Sequence, residues 1–119
     1  MKKYLFLLII LLFGCDKQEK VIYEIQYEVY FSNYYVNVDI SYKNENGIIL
    51  SENDILLNSS NPSWIYEFTV EKGAEVYLSA QKLTNDDKWI GISIHKDGEG
   101  WQSTSTDNPY GSIELSGKL

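Results

Sequence analysis

The chain has 119 residues, with ten lysines, no arginine and 17 acidic side chains, and its net charge is −7. That length suits one small domain that can build a core without cross-links. An acidic composition without arginine argues against nucleic acid as a partner and against electrostatic docking on anionic lipid.

The first 14 residues have the three parts of a secretory signal. Lys2 and Lys3 give a positive start, residues 5–13 form an unbroken apolar run, and Gly14 is a small residue before the chain turns polar. The apolar run is too short to span a bilayer, which needs about 20 apolar residues. We therefore expect residues 1–14 to be a signal peptide.

The only cysteine of the chain follows this signal directly. The stretch Leu12-Phe13-Gly14-Cys15 resembles the bacterial lipobox, which prefers a small or aliphatic residue where Phe13 stands. The resemblance implies that Cys15 carries fatty acyl chains such as palmitate and becomes the new N-terminus after cleavage. Acylation would also remove a lone thiol that is prone to oxidation. An ordinary signal peptide with an incidental cysteine is the alternative.

A mature chain would begin with Cys15 and a short polar tether, together residues 15–20. Without Lys2 and Lys3 it keeps eight of the ten lysines against 17 acidic residues, so its net charge is −9. Residues 16–20 reach about 17 Å when fully extended. We expect the domain of residues 21–119 to lie close to the membrane and outside the cytoplasm, on the periplasmic face or at the cell surface.

From Val21 onward apolar and polar residues alternate, as in half-buried strands. The odd-numbered residues of 21–31 are apolar or aromatic, and the pattern returns in residues 34–42, with Tyr34 expected on the inner face. Asn46-Gly47 favours a tight turn. Residues 48–50 and 55–57 predict a third, interrupted strand region.

The second half of the chain continues this alternation between further turn signals. Residues 84–88 predict a polar loop, Asp97-Gly98 a turn, and residues 100–106 a polar strand. Seven or eight short strands without a helical period predict an all-β fold, an antiparallel β-sandwich or small barrel. The remaining inner faces are expected to carry Trp64, Tyr66, Phe68 and Val70, then Val76, Leu78 and Ala80, then Ile90, Ile92 and Ile94, and finally Ile113 and Leu115.

The order of these segments resembles the extracytoplasmic domain of the mycobacterial small membrane proteins called MmpS. The resemblance covers most of residues 21–119 and implies an Ig-like β-sandwich that is an accessory to a transporter of the resistance-nodulation-division (RND) type. This chain departs from those proteins because it has Cys15 instead of a transmembrane helix and lacks a cysteine pair in the second half of the domain. The matching pieces are Tyr27-Glu28-Val29, Trp64–Val70, Lys72-Gly73, Leu78-Ser79-Ala80-Gln81, Ile92–Ile94 with Asp97-Gly98, and Ser103–Thr106.

The sequence offers little for catalysis or for metal binding. His95 is the only histidine, it lies on the polar side of an isoleucine strand, and no nucleophile elbow accompanies it. We therefore expect a surface histidine and a protein that is not an enzyme. Asp86-Asp87 and Asp97-Gly98-Glu99 are rich in oxygen ligands but lack the spacing of a calcium loop. No metal or other cofactor is expected.

Aromatic side chains off the core face are the remaining candidates for a binding surface. Trp89 stands at the end of the polar loop, and Trp101 follows a glycine-rich turn. Exposed aromatics of this kind contact protein partners or stack on sugar rings, although they also cover sheet edges. The other aromatics on the outer phase are Tyr30, Tyr35 and Tyr77.

Together these features predict a lipid-anchored extracytoplasmic β-sandwich that acts as a non-enzymatic binding or accessory protein in the cell envelope. Its partners would be the membrane, through acylated Cys15, and an envelope protein, for which the MmpS resemblance implies an RND-type transporter. The main alternative is a surface carbohydrate-binding module that uses Trp89 and Trp101. A small inhibitor-like or structural domain is a third hypothesis.

Overall fold

A computed structural model describes residues 19–32 and 34–119, and this part of the chain contains eight strands and no helix. The signal segment and Cys15 lie outside the described residues. None of the described residues forms a helix long and apolar enough to cross a membrane. The strands are β1 (Ile22–Phe31), β2 (Val36–Lys43), β3 (Ile49–Leu57), β4 (Ser63–Glu71), β5 (Glu75–Lys82), β6 (Ile90–Lys96), β7 (Glu99–Thr106) and β8 (Ser112–Lys118).

The strands form two antiparallel sheets of four that pack face to face. The first sheet has the order β4-β1-β6-β7 and the second has the order β3-β2-β5-β8. The predicted all-β sandwich of seven to eight strands is therefore confirmed. The buried apolar residues are Ile25, Tyr27, Val29, Ile90, Ile92 and Ile94 in the first sheet, and Val36, Val38, Ile40, Tyr42, Leu57, Val76, Leu78 and Ala80 in the second.

Tyr27 lies at the centre of this core and joins the two sheets. Its side chain is fully buried. The hydroxyl donates a hydrogen bond to the Lys43 carbonyl oxygen at 2.7 Å and accepts one from the Tyr77 amide at 3.4 Å. Burial raises the pKa of Tyr27 to about 12. The Tyr27 side chain is therefore a neutral phenol in the folded core.

The aromatic row of β4 packs against the same core from the margin of the first sheet, as predicted. Trp64, Tyr66 and Phe68 are half-buried. The Trp64 indole nitrogen donates to Glu52 at 3.0 Å, and the Tyr66 hydroxyl donates to Glu45 at 2.6 Å. These bonds tie β4 to the β2–β3 hairpin of the opposite sheet.

Two details of the predicted strands are wrong. Tyr34 is not on the inner face of β2: it precedes that strand, has a left-handed backbone with φ of 64°, and is 82% exposed. The third strand is not interrupted but continuous, with a β-bulge. Asp54 has φ of 56° at the bulge, and its amide is held by the Asp39 carboxylate at 2.9 Å. The bulge inserts an extra residue, which is why the hydrophobic alternation breaks there.

The sandwich has two ends with different connections. The upper end carries the β1–β2, β3–β4, β5–β6 and β7–β8 loops, and the lower end carries the β2–β3, β4–β5 and β6–β7 turns. The start of β1 and the end of β8 also lie at the lower end. There the Lys72 amide donates to the Val21 carbonyl oxygen at 2.8 Å, and the Gly73 amide donates to that of Leu119 at 2.7 Å. The tether therefore meets the sandwich at its lower end.

Candidate functional site

The structure does not bring Trp89 and Trp101 together. Trp89 immediately precedes β6, whose first residue Ile90 pairs with Thr106. Trp101 lies at the other end of the β6–β7 hairpin, where the register shifts beside His95. Thr106 lies five positions after Trp101 on the same strand, which corresponds to about 17 Å. Trp89 thus belongs to the upper end of the sandwich and Trp101 to the lower end.

Trp101 packs against the edge of the opposite sheet. A Cβ atom on Gly117 of β8 would lie 2.6 Å from Cη2 of the indole, so the glycine allows this close approach. The Lys96 ammonium lies 5.9 Å from the centre of the Trp101 ring. The ring is half-buried against the core. This packing favours the edge-covering interpretation of Trp101.

Trp89, by contrast, lies in a group of aromatic residues at the upper end. Its ring centre is 5.3 Å from that of Tyr30. The Tyr30 ring lies against Gly91 on the outer face of the first sheet, where a Cβ atom would be 2.6 Å from Cζ of the ring. Gly91 therefore lets Tyr30 lie flat on the sheet beside Trp89, and both rings stay half-buried.

Lys88 holds two upper loops together next to this pair. Its ammonium lies 4.1 Å from the centre of the Tyr35 ring and 6.0 Å from that of Tyr34. The same group donates to the Tyr35 carbonyl oxygen at 3.1 Å. A second link is the Ser32 amide, which donates to the Trp89 carbonyl oxygen at 3.3 Å. These cation–π and hydrogen-bond contacts fix the tyrosines of the β1–β2 loop against the β5–β6 loop.

Several apolar side chains of the upper end are strongly exposed. Tyr34 is 82% exposed, Tyr35 57% and Tyr110 56%. The Tyr110 amide donates to the Thr84 carbonyl oxygen at 3.0 Å, which places the β7–β8 loop beside the β5–β6 loop. A cluster of exposed aromatics marks an interaction site more often than scattered ones do. We define the upper aromatic surface as Tyr30, Tyr34, Tyr35, Trp89 and Tyr110 together with Lys88.

A buried ion pair supports this surface from below. Lys82 ends the inner face of β5, and its side chain has no exposure to solvent. Its ammonium donates to the Asp86 carbonyl oxygen at 2.8 Å and lies 3.1 Å from Oδ1 of the same residue. That carboxylate also accepts a hydrogen bond from the Lys88 amide at 3.0 Å. The β5–β6 loop is therefore folded around one buried cation.

The pKa of Asp86 reports the same arrangement. Burial pushes this pKa upward, but the hydrogen bonds from Lys82 and from the Lys88 amide outweigh that effect, so the pKa lies below its ordinary value. The Asp86 carboxylate is thus ionised in the folded protein at neutral pH. Of the acidic pair Asp86-Asp87, the first residue therefore stabilises the β5–β6 loop.

The second acidic loop of the sequence, Asp97-Gly98-Glu99, also has a role in the fold. Asp97 accepts a hydrogen bond from the Glu24 amide at 2.8 Å. Asp97 and Gly98 have φ of 52° and 81°, which form the tight turn between β6 and β7. Within residues 19–32 and 34–119, no three histidine, cysteine, aspartate or glutamate side chains come together as a metal-ligand set.

His95 has a partner that sequence reasoning missed. Its Nε2 atom and the Ser93 hydroxyl lie 3.1 Å apart on the outer face of the first sheet. Residues two apart on a strand share a face, so the spacing alone was a usable signal. A nucleophile–base pair also needs an acid that orients the base. Among the described residues, no carboxylate is hydrogen-bonded to the His95 ring.

No family model and no curated protein sequence matches this chain significantly. The resemblance to MmpS proteins accordingly stays an expectation that the sequence motifs carry. In the structure these motifs fall on strands and on the turns between them: Tyr27-Glu28-Val29 lies in β1 and Lys72-Gly73 in the β4–β5 turn. Motifs of this kind describe strand order and do not mark a functional site.

Proposed function

We propose that this chain is a lipid-anchored extracytoplasmic protein that binds an envelope protein and has no catalytic activity. The signal-like residues 1–14 and the lipobox-like Cys15 support the anchor. The observation that carries the binding role is the position of the upper aromatic surface. The tether meets the lower end of the sandwich, so a domain anchored through Cys15 presents the aromatic residues on the side away from the membrane.

The construction of the upper aromatic surface suits a protein partner. Tyrosine and tryptophan offer large contact areas with few rotatable bonds, so they lose little entropy on binding. Here Lys88 and the buried Lys82–Asp86 pair already hold the loops that carry them. A prearranged aromatic surface of this kind binds without first ordering its loops.

Charge further defines the partner. Asp87 and Asp107 are exposed at the upper end, whereas Lys88 is engaged with Asp86 at 3.8 Å. The rim of the surface is therefore acidic, and a complementary partner has apolar pockets within a basic rim. An RND-type transporter is the partner class that the MmpS resemblance suggests.

Photo-crosslinking in cells tests the proposal. A photoreactive residue at Tyr35 should capture one envelope protein, and Tyr34→Ser in the same chain should abolish that product. Tyr77, which lies on the outer face of the second sheet and donates to Glu114 at 3.4 Å, is the matched control and should capture nothing. The same crosslinked products from positions Tyr35 and Tyr77, or no product from Tyr35, would contradict the proposal.

The anchor needs its own test. The mass of the protein from the membrane fraction should equal residues 15–119 plus acyl groups, and Cys15→Ser should lose those groups. An unacylated wild-type chain would overturn the anchor.

No observation favours the alternative of a carbohydrate site shared by the two tryptophans. Trp89 and Trp101 lie at opposite ends of one hairpin and do not form a single platform. A sugar that shifts the tryptophan fluorescence of wild type but not that of Trp89→Ala would support a carbohydrate site at Trp89 without Trp101.

A further inference from the structure

The lower end of the sandwich exposes aliphatic side chains where the tether joins it. Ile48 is 54% exposed, Ile49 51% and Leu50 38%, three consecutive residues after the β2–β3 turn. At the start of β1, Val21 is 47% exposed and Ile22 53%. The two groups lie at the starts of strands in different sheets and share only the lower end of the sandwich. We call these five residues together the lower aliphatic surface.

The exposure of the three consecutive residues has a clear cause in the sheet. β3 is an edge strand, with β2 as its only neighbour in the sheet. Ile49 pairs with Lys43 and Leu50 with Tyr42, so successive side chains point to opposite faces and both remain open to solvent. Edge strands are usually protected by charged residues or proline. The middle of β3 has this protection, with Glu52, Asp54 and the bulge, whereas its first residues are isoleucine and leucine and leave the lower end of the edge apolar.

The turn that presents these residues is rigid. The Asn44 side-chain oxygen accepts hydrogen bonds from the Asn46 amide at 2.9 Å and the Ile48 amide at 3.0 Å. The Asn44 amide donates to the Ile48 carbonyl oxygen at 2.9 Å, and Gly47 has φ of 74°. The backbone that carries the first of these aliphatic side chains is therefore fixed by the turn.

The tether limits how far this end can move from an anchor at Cys15. The Val21 carbonyl oxygen is bonded to the Lys72 amide, so the free tether ends there. Residues 16–20 span about 17 Å at most. Acyl chains on Cys15 would therefore keep the lower aliphatic surface near the bilayer.

The lysines at the lower end are only partly matched by acidic side chains. Lys20 is paired with Glu71 at 3.3 Å, and Lys43 is paired with Glu75 at 3.5 Å. These two lysines are matched by acidic partners, whereas Lys72 and Lys118 are also exposed at the lower end. Because the chain as a whole is acidic, apolar burial is the contribution to a membrane contact that we infer here, and anionic lipid separates it from attraction by Lys72 and Lys118.

We propose that the lower aliphatic surface rests in the interfacial layer of the bilayer that holds the Cys15 acyl chains. This inference rests on the proposed lipid anchor and adds an orientation to it. The sandwich stands with its lower end on the membrane, and the upper aromatic surface points away from it.

Site-specific fluorescence on vesicles tests the contact. Cys15 is the only cysteine and carries the acyl groups in the proposed anchor, so Ile49→Cys gives the lipidated chain one free thiol for an environment-sensitive dye. Leu56→Cys is the matched control, because Leu56 is 43% exposed on the same strand but at the upper end. In phosphatidylcholine vesicles that contain spin-labelled lipid, we expect a blue shift and loss of most of the emission at position 49, with neither change at position 56.

The outcomes separate the contact from the anchor. Protein that sediments with vesicles but shows the same unquenched emission at both positions would overturn the contact and leave the anchor intact. Protein that stays in the supernatant would overturn the anchor itself. Added phosphatidylserine should leave the quenching at position 49 unchanged, and quenching that appears only with this anionic lipid would overturn the apolar nature of the contact.

Discussion

The two ends of the sandwich expose apolar side chains to a similar degree but with different chemistry. At the upper end the most exposed apolar side chains are Tyr34, Tyr35 and Tyr110, each with a polar atom, above an ion pair that shapes the loop, and Leu56 and Leu83 are less exposed there. The lower end shows isoleucine, leucine and valine at a turn held by Asn44. Aromatic residues with polar groups suit a protein interface, whereas bare aliphatic residues suit the acyl boundary of a membrane. Exposed apolar surface therefore has to be divided by residue type before it is assigned to a partner.

The largest expected effect concerns the support of the upper end. Asp86→Ala removes the partner of the fully buried Lys82 ammonium. Loss of one partner of a buried ion pair costs about 3–5 kcal/mol, and we expect the lower figure in urea denaturation because the Asp86 carbonyl oxygen still accepts from Lys82. Asp87→Ala, at the exposed neighbouring residue, should stay within about 0.5 kcal/mol of wild type. Equal stability of the two variants would show that the ion pair does not shape the upper end.

One core joins the two ends of the sandwich, and the buried phenol of Tyr27 at its centre gives a test of that core. Because its folded pKa is about 12, above the ordinary tyrosine value of 10.0, the unfolded chain loses the phenol proton first. Its contribution to stability is complete below pH 10 and is lost as the pH rises from 10 to 12. The contribution of Tyr27 to the free energy of unfolding should fall by about 1.4 kcal/mol per pH unit in that window, in addition to any contribution of Tyr66, whose pKa is also raised.

Tyr27→Phe separates this titration from general alkaline damage. The variant loses the hydrogen bond to Lys43 and should be about 1 kcal/mol less stable at pH 7. Its unfolding free energy should then fall less steeply than that of wild type between pH 10 and 12. If the free energy of unfolding fell equally steeply with pH in wild type and in Tyr27→Phe, this would contradict the burial of a neutral phenol.

Two glycines allow each end to be disturbed separately. Gly91→Ala should push the Tyr30 ring away from the sheet, and Gly117→Ala should displace the Trp101 ring. Each should cost about 1 kcal/mol by overpacking. Only Gly91→Ala should weaken the Tyr35 crosslink, since Trp101 lies at the lower end. Gly100→Ala, with no atom within 4 Å of the new Cβ, is the control for both. Loss of the crosslink in Gly117→Ala as well would mean that the ends are coupled.

The smallest expected changes in stability come from the exposed residues themselves. Tyr35→Ser and Ile49→Ser should each lie within about 0.5 kcal/mol of wild type, since both side chains are more than half exposed. Their binding effects should differ: Tyr35→Ser loses the protein partner, and Ile49→Ser weakens the lipid contact. A large loss of stability in either variant would show that its side chain belongs to the fold and not to a surface for binding.

Alternation in the sequence was sufficient to predict the strands, because burial on one face of a sheet repeats every two residues. It could not show that β3 is an edge strand, and so it could not reveal that Ile49 and Leu50 are exposed. Lys82 was missed although it continues the inner phase of Leu78 and Ala80, because a lysine at that phase is buried only if a partner such as Asp86 lies near.

The separation of Trp89 and Trp101 was available from the sequence. A hairpin that turns at Asp97-Gly98 places residue 101 near the turn and residue 89 far from it. The exposed position of Tyr34, in contrast, depends on a left-handed backbone in a loop between two sheets. Hydrophobic alternation contains no information on that conformation.

The most direct test of the opposed ends is one paired crosslinking experiment in cells. A photoreactive residue is placed at Tyr35 in one strain and at Ile49 in another, and the products are separated into protein and lipid adducts. The account expects a protein adduct without lipid from Tyr35 and a lipid adduct without protein from Ile49. The same class of adduct from both positions would contradict it.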